Sequence, residues 1–336
     1  MSSQKILIIQ TAFIGDVILA SGLIEKIKQY FPHGQIDFLL RKGNESLFEN
    51  HPFLNEILIW EKQHNKYANL LKLIATVRAS KYSIVINLQR FAAMGLLTAL
   101  SGATQKLGFD KNPFSRFFDK SYSHDINKDQ HEVERNHQLI KHLTDSIPAK
   151  PKLYLTNKEY NAIADFILNP YICIAPTSVW HTKQFPEEKW IEFLELVPVN
   201  YQVYLLGAPA DVMACQRIIH ASKRSNTMNL AGKLSLLASA ALMQKAVMNY
   251  VNDSAPMHLA SALNAPTCAV YCSTVPSFGF GPLANNAFII EISYPLYCRP
   301  CGLHGYIACP EKHFKCAHDI EVKRLADLLY TIATSK

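Results

Sequence analysis

Short apolar segments alternate along the first half of the chain with stretches that carry helical periodicity. Strands are predicted at residues 5–10, 35–40, 56–60, 82–88 and 105–109, and helices at residues 17–31, 67–79 and 92–100. Buried strands separated by helices of this length predict right-handed βαβ units and a parallel sheet with helices on both faces.

The same alternation restarts after a polar interval. Residues 110–130 read as a polar loop, residues 131–143 as a helix and the proline-containing residues 146–151 as a linker. Strands follow at residues 171–175, 201–206, 246–251 and 267–271, and helices at residues 187–196 and 211–220. We therefore predict two Rossmann-like, doubly wound α/β domains, residues 1–148 and 149–336, that face each other across a cleft. This prediction allows the C-terminal helix to pack on the first domain.

Composition narrows the class of protein without defining its ligand. The 336 residues are 49% hydrophobic and 18% charged, which is enough to bury two cores. A net charge of +7 fits an anionic ligand or an anionic membrane surface, and a solvated basic face fits equally well. The N-terminal apolar run is too short for a secretory signal, so we expect a cytoplasmic protein whose eight cysteines are thiols or metal ligands.

The first candidate for chemistry is the pair Gly15-Asp16, directly after the first predicted strand. A dinucleotide loop needs three glycines here and the sequence supplies one, which argues against a nicotinamide-dependent oxidoreductase. A carboxylate at a helix start fits two roles. It is either an N-terminal cap or a general base in the cleft, with Gly15 leaving room for a substrate.

Two segments of the second half are candidates for anion binding. Lys183 lies in the loop after the strand at residues 171–175, where its charge can reach a phosphate or remain at the surface. A helix start rich in small residues follows the strand at residues 246–251, and first-turn amides of this kind bind anions. Its members are Asp253, Ser254, Ala255, Pro256, Met257 and His258. Considered alone, His258 is interpreted as a structural histidine. Because it lies beside this turn, we favour its interpretation as a ligand-binding residue.

A cysteine-rich segment near the C-terminus is a candidate metal site. Cys298, Cys301, Cys309 and Cys316 have the spacing C-x2-C-x7-C-x6-C, with three histidines close by in the sequence. The spacing permits a structural zinc or iron ion, although the second pair is not a C-x2-C knuckle, and free thiols or a disulfide fit as well. A metal-binding interaction protein built on this cluster is therefore one alternative to an enzyme.

Together these motifs resemble glycosyltransferase family 9, the ADP-heptose:lipopolysaccharide heptosyltransferases. The resemblance covers almost the whole chain in order, and its most specific segment is NDSAPMHLASAL at residues 252–263. The other matching motifs are IGD at 14–16, NLQ at 87–89, LGF at 107–109, H-x3-R at 131–135, K-x2-P at 183–186 and the cysteine-rich tail.

The resemblance implies a GT-B fold and an inverting transfer from ADP-heptose to a lipid-anchored lipopolysaccharide core, without a catalytic cofactor. It assigns Asp16 as the base and Lys183 with residues 253–258 to the donor, and it places Gly15 and Arg135 on the acceptor side. It also implies peripheral contact with the inner membrane and no nucleic-acid partner. No D-x-D metal–diphosphate motif occurs. The loop at residues 109–122 matches no family motif, so a different sugar or acceptor stays open as an alternative.

Overall fold

A computed structural model describes residues 4–126 and 129–334 of the chain. The chain divides into two compact units, Met1–Tyr154 and Leu155–Lys336. The division falls shortly after the proline-containing stretch that the sequence suggested as a linker.

The first unit is a six-stranded parallel sheet with helices. Its elements are β1 (Lys5–Ile9), α1 (Ile14–Tyr30), β2 (Gln35–Arg41), β3 (Leu54–Trp60), α2 (Lys66–Ala79), β4 (Ile84–Asn87), α3 (Ala92–Leu100), β5 (Gln105–Phe109), β6 (Lys120–Tyr122) and α4 (Glu132–Gln138). The strand order is β3-β2-β1-β4-β5-β6. Strand β4 and most of β1 are buried, as expected of strands covered on both faces.

The second unit repeats this architecture. Its elements are α5 (Asn157–Ala162), β7 (Tyr171–Ala175), α6 (Glu187–Leu196), β8 (Gln202–Leu205), α7 (Val212–Ser222), β9 (Thr227–Asn229), α8 (Leu236–Lys245), β10 (Met248–Asn252), α9 (Ala255–Ala262), β11 (Thr267–Tyr271), β12 (Ala287–Glu291), α10 (Lys315–His318) and α11 (Lys323–Thr334). The strand order is β12-β11-β10-β7-β8-β9, again all parallel.

The C-terminal helix α11 buries its apolar face in the second unit. Leu325, Ala326 and Leu329 belong to the hydrophobic core that also contains Tyr250 of β10, and the Tyr250 hydroxyl donates to the Leu325 carbonyl at 3.0 Å. The apolar face of α11 is therefore used within its own unit, and the expectation that the helix packs back on the first domain stays a prediction.

Each sheet reverses its winding direction once, and this reversal fixes where a ligand can bind. The chain moves outward from β1 to β3 in one direction and from β4 to β6 in the other, so the first switch point lies between β1 and β4. The second lies between β7 and β10. In open α/β sheets, ligands bind outside the carboxyl ends of the strands at such points.

No helix among the described residues is long and apolar enough to span a bilayer.

Candidate functional site

Asp16 lies at the switch point of the first unit, in the first turn of α1. The helix begins at Ile14, with Phe13 as its N-cap residue, so Gly15 and Asp16 are helical and not part of the preceding loop. Burial, followed by the nearby charge of Glu132, raises the pKa of Asp16 from 3.8 to about 6, against the lowering effects of the Phe13 backbone and the Arg90 charge. A carboxyl that titrates near neutral pH suits general base catalysis.

The loops around Asp16 are joined to one another by side-chain hydrogen bonds. The Gln89 side chain, after β4, donates to that of Gln10, after β1. The Asn44 amide donates to the Ala12 carbonyl at 3.2 Å, and the Asn112 amide donates to the Gln89 carbonyl at 2.8 Å. The loops that follow β1, β2, β4 and β5 therefore form one connected surface at the carboxyl edge of the sheet. The NLQ motif begins at Asn87, the last residue of β4, and ends at Gln89 on this surface.

Three exposed phenylalanines lie on this edge, each close to an arginine. Phe13, Phe91 and Phe117 expose 60%, 70% and 47% of their surface. The Arg41 guanidinium lies 5.0 Å from the Phe13 ring centroid, and the Arg116 guanidinium lies 4.8 Å from that of Phe117; Arg90 directly precedes Phe91 in the chain. Exposed rings beside guanidinium groups provide stacking and anion contacts for a ligand.

Arg135 is not on this surface. Its side chain is fully buried, its Nε donates to Glu132 at 2.8 Å, and its terminal nitrogen donates to the Gln130 carbonyl. The predicted acceptor contact of Arg135 is therefore corrected, because a side chain enclosed in the protein has no surface to offer to an acceptor. Glu132, the first residue of α4, is also buried, and no motif in the sequence had pointed to it.

The switch point of the second unit holds a nearly buried ion pair. Lys183 Nζ lies 2.7 Å from Asp253 Oδ2, with side-chain exposures of 15% and 9%. The Thr274 hydroxyl also donates to Asp253 Oδ2 at 2.7 Å. Two residues that the sequence predicted separately are thus in contact, and the carboxylate holds the ammonium group at the carboxyl ends of β7 and β10.

Asn252 fixes the geometry of this pair. Its side-chain oxygen accepts from the Phe185 amide at 2.8 Å, and its side-chain nitrogen donates to the Pro176 carbonyl at 2.9 Å. The buried Asn252 side chain at the end of β10 therefore fixes, by hydrogen bonds, both ends of the loop that carries Lys183.

The start of α9 has fewer backbone N–H donors available to an anion than the sequence suggested. Ser254, Ala255 and Pro256 are half-buried at the helix start, but Pro256 has no amide proton and the Met257 amide donates to the Ser254 carbonyl at 3.0 Å. Met257 and His258 are buried on the inner face of the helix. Both side chains therefore pack into the unit, and the assignment of Met257 and His258 to the donor stays a prediction.

The cysteine-rich segment covers the loop that carries Lys183. The Tyr306 amide donates to the Thr182 hydroxyl at 2.8 Å, and the Cys301 amide donates to the Ser273 carbonyl at 2.8 Å. The Ser273 hydroxyl in turn donates to the Thr182 hydroxyl oxygen at 3.0 Å. This segment therefore supports the loops after β7 and β11 from the outside.

The four cysteines of this segment are free thiols in the structure. In the described part of the chain, no group of three or more His, Cys, Asp or Glu side chains is arranged to hold an ion. Cys298 Sγ lies 3.9 Å from His313 Nε2, and the Cys301 thiol donates to the Cys298 carbonyl at 3.3 Å. Burial, with added repulsion from Cys301 and Cys309, raises the pKa of Cys316 to about 12, so this thiol is protonated at neutral pH. The predicted zinc or iron at Cys298, Cys301, Cys309 and Cys316 stays a prediction.

We expect three of the eight thiols to react rapidly with a disulfide reagent in the native, reduced protein. Cys298, Cys301 and Cys309 are half-buried, and the other five cysteines are buried. Thiol titration by absorbance should show three fast groups, and all eight in denaturant. Fewer fast groups that increase after chelator treatment would contradict this arrangement and indicate a bound metal.

Two doubly wound units with charged groups at both switch points are typical of GT-B glycosyltransferases, and the relatives of the chain fall in that class. The sequence profile of glycosyltransferase family 9 (heptosyltransferase) matches residues 70–305. Lipopolysaccharide heptosyltransferase 3 of Escherichia coli is 27% identical over 293 residues, which are 82% of this chain and 85% of the relative.

Solved structures agree with the profile. The structure of E. coli ADP-heptose lps heptosyltransferase II has a TM-score of 0.82 at 23% identity and covers 99% of each chain. A glycosyl transferase family 9 structure from Veillonella parvula DSM 2008 has a TM-score of 0.86 at 20% identity, covering 99% of this chain and 98% of that one.

The chain belongs to glycosyltransferase family 9, because the family profile spans well over half of it. It is a glycosyltransferase with the GT-B fold, and the predicted family and fold class are confirmed. The oxidoreductase and interaction-protein alternatives are set aside.

Proposed function

We propose that this protein transfers a heptose from ADP-heptose to the inner core of a lipopolysaccharide, with inversion at the anomeric carbon. The names of its relatives, a lipopolysaccharide heptosyltransferase and an ADP-heptose lps heptosyltransferase, support the donor and the acceptor. The observation that carries the proposal is the pairing of a proton acceptor, Asp16, at one switch point with a held cation, Lys183, at the other.

In the proposed reaction the first unit supplies the base. The acceptor hydroxyl oxygen attacks the anomeric carbon of the donor, and its proton passes to the Asp16 carboxylate. The bond from that carbon to the diphosphate oxygen breaks, and ADP leaves with the electron pair. A base with a pKa of about 6 is ionised at neutral pH and still basic enough to accept a proton in the transition state.

The second unit holds the leaving group in this proposal. The diphosphate gains negative charge as the bond breaks, and Lys183 is the cation placed to meet it. Because Asp253 and Thr274 hold the ammonium group in place, little reorganisation is needed when that charge develops. Ser254, Ala255 and Pro256 at the start of α9 line the donor site through backbone and small side chains. Asp253 acts through Lys183, and this refines its assignment as a donor contact.

The aromatic and basic edge of the first unit is the proposed acceptor side. The rings of Phe13 and Phe91 offer apolar faces to a sugar, while Arg41, Arg90 and Arg116 offer charge to phosphate or carboxylate groups. Gly15 lies beside the base, where an acceptor hydroxyl approaches. An inner-core acceptor is anchored in lipid, so we also propose peripheral contact with the inner membrane from the cytoplasmic side.

The experiment that tests this function is incubation of the protein with a panel of nucleotide sugars and truncated core acceptors, read by mass spectrometry. The proposal predicts that ADP-heptose adds one heptose residue to an inner-core acceptor. Addition of another sugar from another donor would instead favour the alternative of a family member with a different substrate, which the unmatched loop at residues 109–122 leaves open.

A further inference from the structure

Glu132 is a buried carboxylate that the proposed reaction does not use. It begins α4 and exposes 5% of its surface. Its Oε2 accepts a hydrogen bond from Arg135 Nε at 2.8 Å and lies 3.1 Å from His124 Nε2. Carboxylates are rarely buried to this degree unless they are paired, and here two nitrogen groups satisfy the charge. Burial alone raises its pKa, but His124 and Arg135 lower it below its ordinary value, so Glu132 is ionised at neutral pH.

Helix packing brings this carboxylate close to Asp16. Helix α4 packs on α1, and a small cavity between them is lined by Leu19 and Leu23 of one helix and by Val133 of the other. Asp16 lies one turn before Leu19 on α1, and Glu132 directly precedes Val133 on α4. The N-terminal ends of the two helices therefore lie side by side, with Asp16 on one and Glu132 on the other.

Two opposite charges act on Asp16. Arg90, after β4, is the cation whose charge opposes that of Glu132. Glu134 and Arg135 follow Glu132 on α4, and the Arg135 side chain pairs with Glu132 itself. At the other end of the helix pair, Lys26 Nζ is 2.7 Å from Asp145 Oδ1. The balance of charge at Asp16 thus depends on Glu132 on one side and Arg90 on the other.

We propose that Glu132 is a positioning residue of the transfer reaction: held ionised by His124 and Arg135, it keeps the Asp16 carboxylate basic enough to take the acceptor proton. The inference rests on the proposed function, in which Asp16 is the base. A second negative charge nearby disfavours ionised Asp16 and so increases its proton affinity. Arg135, the family-motif arginine, then serves the reaction through Glu132 and without touching the acceptor.

The test is the variant Glu132→Gln, which removes the charge and keeps an oxygen to accept from Arg135. We expect the acid limb of the pH profile of kcat/KM to move to lower pH by roughly one unit. The rate on the plateau should fall several-fold, because Asp16 becomes a weaker base. Carbon-13 NMR titration of labelled aspartate carboxyls, with the Asp16 signal assigned from Asp16→Asn, should show the same shift without substrate. An activity loss with an unmoved pH limb and an unmoved Asp16 titration would overturn the inference, because a merely structural role predicts that result.

Two further variants keep the test decisive if Glu132→Gln is unstable. Arg90→Gln removes the opposing cation, so the Asp16 titration should move to higher pH; a downward or absent shift contradicts the charge balance. Glu134→Gln is the matched control, since Glu134 is exposed on the same helix and caps it through the His131 amide at 2.9 Å. It should leave the titration unchanged, and a shift equal to that of Glu132→Gln would count against a specific role. If Asp16→Asn keeps full transfer activity, the proposed base fails; if it is inactive while Glu132→Gln leaves the titration unmoved, only this inference fails.

Discussion

Asp16→Asn is expected to lower the transfer rate by a factor on the order of 10²–10⁴, the usual contribution of a positioned general base. The substitution changes one oxygen to nitrogen, so the helix start keeps its shape, and the side-chain oxygen can still accept from a backbone amide. ADP binding in the second unit should therefore be unchanged by calorimetry. Transfer at the wild-type rate would eliminate Asp16 as the base.

The same variant should be more stable than the wild type at neutral and alkaline pH. Because the pKa of Asp16 is raised from 3.8 to about 6 on folding, the folded state binds this proton more tightly than the unfolded chain does. Ionised Asp16 therefore costs the folded state about 3 kcal/mol above pH 6, and this cost disappears as the pH falls from about 6 to about 4.

Denaturant unfolding of both proteins at pH 8 and pH 4 measures this cost. The free energy of unfolding of Asp16→Asn should exceed that of the wild type at pH 8, and the difference should vanish at pH 4. A variant that is less stable at pH 8 would indicate that the carboxylate serves mainly to stabilise the first turn of α1.

Lys183→Ala is expected to weaken ADP binding by roughly 10- to 100-fold, the range for losing one hydrogen bond to a charged group. Two changes lower the affinity for ADP. The diphosphate loses its cation, and Asp253, which is almost buried, becomes an unpaired carboxylate beside the phosphate site. The unpaired charge should also destabilise the protein by about 3 kcal/mol.

A double variant separates the two changes. Lys183→Ala combined with Asp253→Asn should recover much of the stability, because no unpaired carboxylate remains, while ADP affinity stays low. Lys189→Ala is a matched control on α6, where Lys189 Nζ pairs with Glu192 of the same helix at 3.4 Å. Calorimetric titration with ADP should show little change for this control. An unchanged affinity in Lys183→Ala would remove Lys183 from the donor site.

Much of the fold was predictable because its central strands are continuous apolar runs. Strands β7 and β11, for example, are buried throughout, and both were predicted to the residue. The missed strands β6, β9 and β12 lie at sheet edges and are partly exposed. Helix α8 was missed because most of its residues are buried, so no polar face marks a helical period.

The candidate site was predictable to the extent that position along a strand determines it. Asp16, Lys183 and Asp253 each follow a strand closely, and chain order alone places them at carboxyl ends. The contact between Lys183 and Asp253 was not predictable, because it joins loops 70 positions apart. Arg135 was assigned to the acceptor side from the H-x3-R motif of the family, and only tertiary packing shows that its side chain is enclosed.

The most direct test of the account is the anomeric configuration of the product formed from ADP-heptose and an inner-core acceptor. A direct displacement, with Asp16 taking the proton and ADP leaving toward Lys183, predicts a heptose whose configuration is opposite to that of the donor. NMR measurement of the one-bond carbon–proton coupling at the anomeric carbon reads this configuration. A product with the donor's configuration, or no transferred heptose, would contradict the account.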